Sequence, residues 1–391
     1  MSNERSSYRE IMKTTSIFGG VQVFNILILI IRSKFIAILL GPAGIGINSL
    51  LNSTTSFIAG LTNFGLSTSA VKNIAAAFGT GDEKKIATVV IVLRRLVWIT
   101  GLLGSIVTII LSPWLSKLSF GNYDYTMAYI WISCTLLFNQ ISSGQSVVLR
   151  GLRKINYMAK SSLSGSVIGL FVSIPLYYIW GVDGIVPAII LSSIAALLRT
   201  WYFSSKIKID KVDVSLQRTK NEGKDMLMMG FMLSLSSLYA LGKNYGIRVF
   251  IGNVGGMDQV GLFTAGFAIV NSYVGMVFTA MSTDYFPRLS AIAGDNQKAN
   301  RLINQQAEIA TLILAPIIAV FIIFINWVII ILYSDKFISI DRMMQWIALG
   351  IFFKASSWSM SFIFLAKGKS RLFIFNEVIG GTVMLIFQIL G

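Results

Sequence analysis

The sequence predicts an all-α membrane protein of two parallel six-helix repeats, the second lacking its last helix. Three observations lead there. Of the 391 residues, 54% are hydrophobic and 13% charged, with mean hydropathy +0.72; soluble domains carry roughly 25% charged residues. The basic residues gather in alternate connections. A single offset of 215 residues lays the second half of the chain on the first.

The spans come first. A spanning helix needs about 20 mostly apolar residues at a rise of about 1.5 Å each. Eleven segments qualify: 14–40, 46–71, 96–116, 127–149, 159–180, 184–203, 226–252, 260–286, 309–333, 343–366 and 372–391. The polar start MSNERSSYREIMK precedes an apolar run too long for a signal-peptide core, so the first run reads as a spanning helix that stays. Connections are short except the charged 204–225, SSKIKIDKVDVSLQRTKNEGKD, which reads as a cytoplasmic linker between an N-terminal part, 1–203, and a C-terminal part, 226–391.

Orientation follows from the basic residues. With a cytoplasmic N-terminus, cytoplasmic segments hold 25 of the 33 Lys and Arg, and outer loops hold only Lys117, Lys336 and Arg342. This asymmetry fixes the topology by the positive-inside rule. It also accounts for most of the net charge of +16 without invoking nucleic acid. The basic amphipathic stretch 82–95 is expected to rest on the inner leaflet, where anionic lipids attract it.

The repeat places Gly46 on Gly261, Gly60 on Gly275, Ser67 on Ser282, Gly79 on Gly294, Lys154 on Lys369 and Gly165 on Gly380. One inserted residue between GPAGIG (41–46) and GGMDQVG (255–261) also brings Arg32 onto Arg248. Six helices per repeat is an even number, so both halves insert the same way, related by a pseudo-twofold along the membrane normal. The sixth helix, 184–203, predicts a partner near 399–418, whereas the sequence stops at Gly391; the expectation is a truncated chain.

The chemistry is bounded by what the sequence lacks. With no histidine and one cysteine, Cys134, it has no disulfide framework, zinc site or Ser-His-Asp triad. Cys134 lies in an apolar run and reads as packing. No metal, cofactor or enzymatic activity is expected. The positive signal is five cations within spans: Arg32, Lys34, Lys243, Arg248 and Lys354. A charge at the bilayer centre costs roughly 2.5–3.5 kcal/mol on insertion scales, so such residues usually face a wet cavity and mark a substrate path. Snorkelling to the headgroups is the alternative. Lys34 and Arg248 lie about 10 and 7 Å of helix rise from their outer ends, where snorkelling is open; Arg32, Lys243 and Lys354 sit roughly 13–18 Å deep. Arg32 and Lys34 point some 200° apart at about 100° per residue, so only one of them faces a cavity squarely.

Asp284 and Glu377 lie towards the cytoplasmic ends of their spans. Asp284 is a candidate ion-coupling residue, with a helix cap or a pair with Arg288 as the structural alternative. Glu377 is a candidate proton or sodium coupling site, with an ion pair to Lys369 or Arg371 as the alternative. A cationic cavity without neutralising acids suits an anionic substrate, and Arg and Lys suit phosphate oxygens.

The segment SIFGGVQVFNILILIIRSKFIAILLGPAGIG (16–46) resembles the opening of Wzx-type O-antigen and polysaccharide flippases, of the multidrug/oligosaccharidyl-lipid/polysaccharide exporter superfamily. The resemblance runs along the chain through the basic linker, GLFTAG (261–266) and STDYFPRLSAIAGD (282–295). It implies two lobes around a central cavity opening alternately to either side of a bacterial inner membrane. The implied substrate is an undecaprenyl-pyrophosphate-linked oligosaccharide, with membrane lipids and polysaccharide assembly proteins as partners. The family's cavity cations match Arg32 and Lys34 on the first helix and Lys243 and Arg248 on the seventh. A drug exporter of the same superfamily is the nearest rival, but it would want an acid where the first helix offers Arg and Lys. A membrane glycosyltransferase or polymerase would want carboxylates on a substantial outer loop, and these loops are short.

Overall fold

The computed structural model describes the backbone of residues 2–210 and 212–390, and all their side chains except 2–19, 22, 271–274, 276, 279, 280, 283 and 370. Lys211 of the linker and the side chains of the polar N-terminal segment therefore lie outside the described residues. Those described form eleven α-helices and two short 3-10 turns, with no strand among them. The helices are α1 (Ser2–Thr62), α2 (Leu66–Gly79), α3 (Glu83–Phe120), α4 (Thr126–Gly151), α5 (Ile155–Trp180), α6 (Ile185–Ser205), α7 (Leu216–Ala291), α8 (Asn296–Ile323), α9 (Ile325–Leu332), α10 (Asp341–Ala366) and α11 (Ser370–Leu390).

Seven helical stretches among the described residues are long and apolar enough to cross a membrane. Three of them, Val23–Thr62, Ile155–Ser205 and Leu216–Val270, run to 40, 51 and 55 residues and are divided internally. The dividers are Gly41, the 3-10 turn Gly181–Gly184 and Gly256. Each stretch thus takes in all or part of two expected spans, and α4 corresponds to the one remaining, 127–149.

The repeat is written into local backbone geometry. The kinks in α1 and α7 fall at Gly41 (φ 66°, ψ −169°) and Gly256 (φ 79°, ψ 177°), matching positions with matching angles. That region is nearly closed to residues with a Cβ, so glycine makes the turn. The ends of α4 and α10 carry the same closing motif. Lys154 N–H donates to the Leu149 carbonyl and Lys369 N–H to the Phe364 carbonyl, both at 2.8 Å, around a left-handed residue, Arg153 (φ 54°) or Gly368 (φ 68°). This six-to-one bond satisfies carbonyls that a helix end leaves orphaned. Asp82 and Asp295 likewise cap α3 and α8, each accepting two backbone N–H bonds.

The chain forms two compact units: residues 1–40 with 50–254, and residues 41–49 with 255–391. The chain passes between them at Leu40/Gly41, Ser49/Leu50 and Val254/Gly255; the last lies beyond the expected linker, because the first half of α7 packs into the first unit. Of the described residues of 204–225, 206–210 and 212–215 are non-helical and the rest belong to α6 and α7. Ile207, Ile209, Val212 and Val214 face the core while Lys208, Asp210 and Asp213 are exposed. Arg95 fixes the segment, donating through Nη1 to the Val214 carbonyl (2.9 Å) and to Thr219 Oγ1 (2.6 Å).

That core corrects a further expectation. The stretch 82–95 is not a separate element. From Glu83 it is the first part of α3, and its apolar face is taken up by protein. Val90, Val92 and Leu93 are at most 1% exposed, packed with Leu66 and Ile74 of α2, Val147 and Val148 of α4, and Met226 of α7. The expected span 46–71 is also interrupted. Phe64 (φ 49°) and Gly65 (φ 61°) are left-handed, Asn63 Oδ1 accepts the Gly65 N–H at 2.7 Å, and α2 starts afresh at Leu66.

Candidate functional site

Arg32 and Lys34 lie on α1 nine and seven residues before the Gly41 kink, and both are half-buried. The guanidinium of Arg32 has its Nε buried without a hydrogen-bond partner among the described residues. A buried donor of this kind favours an acceptor brought by a ligand or water. Seven residues earlier on the same face, Asn25 is held by α5: its Nδ2 donates to Ser162 Oγ (3.1 Å) and its Oδ1 accepts from Ser166 Oγ (2.9 Å). Two helical turns bring a side chain back to nearly the same direction, so Asn25 fixes the rotation of the helix that carries Arg32. Asn25 is uncharged and carries no signal in a search for buried charge, which is why the sequence did not single it out.

Lys243 and Arg248 lie on α7, thirteen and eight residues before Gly256, and both are half-buried. Arg248 donates through Nη1 to the Asn244 carbonyl one turn back (2.9 Å). Measured from the two equivalent glycines, Arg32 and Arg248 occupy matching depths to within one residue.

These four cations belong to the first unit; Lys354, Asp284 and Glu377 belong to the second. Lys354 on α10 is exposed, its ammonium 5.9 Å from the ring centre of buried Phe278. Phe278 in turn meets Trp358 (5.1 Å between centroids), one turn along α10, and Trp358 meets Phe362 (5.0 Å). This aromatic ladder orients the face of α10 that presents Lys354. Asp284 pairs with Arg288 at 3.1 Å, as the structural alternative had it, with both side chains well exposed. Glu377 is exposed on α11 and forms no ion pair with Lys369 or Arg371 among the described residues.

A second polar feature of the first unit is a buried hydroxyl chain. Tyr245 OH of α7 bonds Ser119 Oγ of α3 (2.8 Å), and Tyr129 OH of α4 donates to the same Ser119 (3.0 Å). Tyr129 OH also shares a bond with Thr54 Oγ1 of α1 (3.0 Å). Thr54, Ser119 and Tyr129 are fully buried. In an apolar medium unmet hydroxyls are costly, so the four residues satisfy one another and tie four helices together.

The fold and these residues define a multi-pass helical membrane protein with basic side chains inside its spans. Residues 35–341 match the polysaccharide biosynthesis protein family, and the chain belongs to that family. It is 20% identical over 365 residues to the lipid III flippase of Escherichia coli K12, covering 90% of this chain and 85% of the relative. Among solved structures it is similar to a multidrug resistance MATE-family transporter of the MOP superfamily in an inward-facing conformation, with TM-score 0.71 and 20% identity over 93% of this chain and 85% of that one. An outward-facing structure of a transporter of the same description gives TM-score 0.63 and 19% identity, over 94% and 85%. At these identities the likeness to solved structures establishes a shared fold.

Proposed function

We propose that the protein is a flippase carrying an undecaprenyl-pyrophosphate-linked oligosaccharide, an O-antigen or related repeat unit, across the bacterial inner membrane. The observation that carries this reading is family membership over most of the chain, joined to a relative named a lipid III flippase along nearly its full length. The cation set supplies the chemistry. Arg32, Lys34, Lys243, Arg248 and Lys354 bind the pyrophosphate head, and the polyprenyl tail stays in lipid between helices. Arginine suits phosphate through paired N–H donors, lysine as a point charge.

No covalent bond changes, so the protein acts as a transporter and not as an enzyme. Two lobes enclose a central cavity, and alternating access proceeds by rocking one lobe against the other. The N-terminus lies in the cytoplasm, consistent with the basic asymmetry of the loops. A bias between states comes from the membrane potential, at about 2.3 kcal/mol per charge per 100 mV, or from an ion gradient. Glu377 is the stronger coupling candidate, since Asp284 is engaged by Arg288. Polysaccharide assembly proteins are the expected neighbours.

The test is complementation. In cells lacking their own flippase, the gene should restore surface polysaccharide; lipid-linked sugar retained on the inner leaflet despite protein in the membrane would refute the reading.

A further inference from the structure

The first half of α7 is the opening helix of the second repeat, yet its contacts follow the first unit from one end to the other. At its start Gly223 abuts Leu96 of α3, where an added Cβ would come within 3.2 Å. Gly230 lies against the Phe64 carbonyl and the Gly65 backbone at the break after α1, and Phe231 packs on Phe64. Further along, Leu238 and Leu241 meet Gly60, and Gly242 meets Phe57. Tyr245 stacks on Phe57 with ring centres 5.7 Å apart and joins the buried hydroxyl chain through Ser119. Near the far end Asn253 Nδ2 donates to the Leu118 carbonyl at 3.0 Å.

From Gly223 to Asn253 is about 45 Å of helix rise, more than the roughly 30 Å of a bilayer's hydrocarbon core. A gate between rocking bodies closes at one membrane face and opens at the other. A contact continuous through both faces does not have that form. Parting it would break the Ser119–Tyr245 bond and strand the Tyr245 hydroxyl in an apolar environment. Two residues past Val254 the backbone leaves helical geometry at Gly256, the one non-helical position inside α7.

We infer that Leu216–Val254 travels with the first unit throughout the transport cycle, and that Gly256 is the hinge in α7 between it and the second unit. The moving bodies are then not the two sequence repeats, because the second repeat lends its first helix to the first. This inference rests on the transport cycle proposed above.

The experiment links α7 to the first unit at both membrane faces. In a Cys134→Ala background, one protein carries Leu118→Cys with Asn253→Cys and another carries Leu96→Cys with Gly223→Cys. Each pair is joined by a short, reducible bifunctional thiol reagent, and flipping of lipid-linked oligosaccharide in proteoliposomes is compared before and after reduction. No loss of transport in either linked protein is expected. Loss in either one, reversed by reduction, overturns the inference. If the reduced proteins move no lipid-linked sugar, the flippase reading fails, and the hinge is decided by distance instead. Spin labels on the same pairs in nanodiscs should each keep one distance across pH and sodium, and a second distance population at either pair overturns it.

Discussion

Ser49 and Thr264 share a hydrogen bond of 2.8 Å between their hydroxyls and stand 215 residues apart, the offset that lays one half of the sequence on the other. Equivalent residues of two repeats touch only where the operation relating the repeats leaves a position nearly unmoved, so any such axis passes beside this pair. Three residues back, Gly46 and Gly261 are also equivalent and also meet. A Cβ on Gly46 would fall on the Met257 carbonyl, and one on Gly261 on the Pro42 carbonyl.

Backbone cannot yield as a side-chain tip can, so Gly261→Ala should force the helices apart. Overpacking of this kind typically costs about 1–3 kcal/mol. Gly294→Ala is the control, since its Cβ would meet open space. Thermal unfolding in detergent should show Gly261→Ala well below the parent and Gly294→Ala close to it. Equal melting of the two would contradict the close crossing. The Ser49–Thr264 bond itself should be modest, with a coupling of about 0.6 kcal/mol in a double-mutant cycle.

The paired closing motifs give a prediction of opposite signs. Arg153 holds a left-handed conformation that its repeat partner Gly368 adopts freely. Arg153→Gly should stabilise by about 0.5–1 kcal/mol, and Gly368→Ala should destabilise by a similar amount. Unfolding in denaturant measures both, and the same sign for the two changes would speak against the shared geometry.

Arg95 holds the segment 206–215 through two hydrogen bonds. Arg95→Ala should free this segment and speed tryptic cleavage at Lys206 and Lys208, while transport-independent insertion stays intact. Unchanged cleavage kinetics would mean that the apolar contacts of Ile207, Ile209 and Val214 alone hold the segment.

Asp295, at the start of α8, carries a pH dependence with a definite sign. Its carboxyl is held below the ordinary carboxylate range chiefly by the Lys298 backbone N–H, with the Lys298 side chain assisting. A depressed carboxyl stabilises above its ordinary pKa, and that stabilisation is lost as the pH falls through the depressed value. Protection of the Gln297 and Lys298 amides, taken relative to the intrinsic exchange rate at each pH, should therefore fall in acid in the parent, and Asp295→Asn should flatten the response.

Much of this molecule was legible in the sequence because its signals are local. Apolar runs gave the spans, and LLGPAGIG and GGMDQVG marked the two turns that became Gly41 and Gly256. Two features were out of reach for a common reason. The apolar face of 83–95 looked like a membrane-facing stripe because its partners, Val214 and Met226, lie more than a hundred residues away. The hydroxyl chain joins Thr54, Ser119, Tyr129 and Tyr245, each an ordinary residue alone. The break at Phe64-Gly65 did leave a trace, an Asn-Phe-Gly within an apolar run, but hydropathy alone reads through it.

Binding of an anionic head group by cations inside the spans is tested most directly at Arg32 and Lys243. The assay is surface polysaccharide in cells lacking the native flippase, complemented with the gene, with membrane levels of each variant measured alongside. Arg32→Lys and Lys243→Arg should be mild, since charge survives where paired donor geometry does not. The Arg32→Ala, Lys243→Ala double variant should abolish surface polymer while the protein remains in the membrane. Undiminished polymer in that double variant would contradict the anion-binding role.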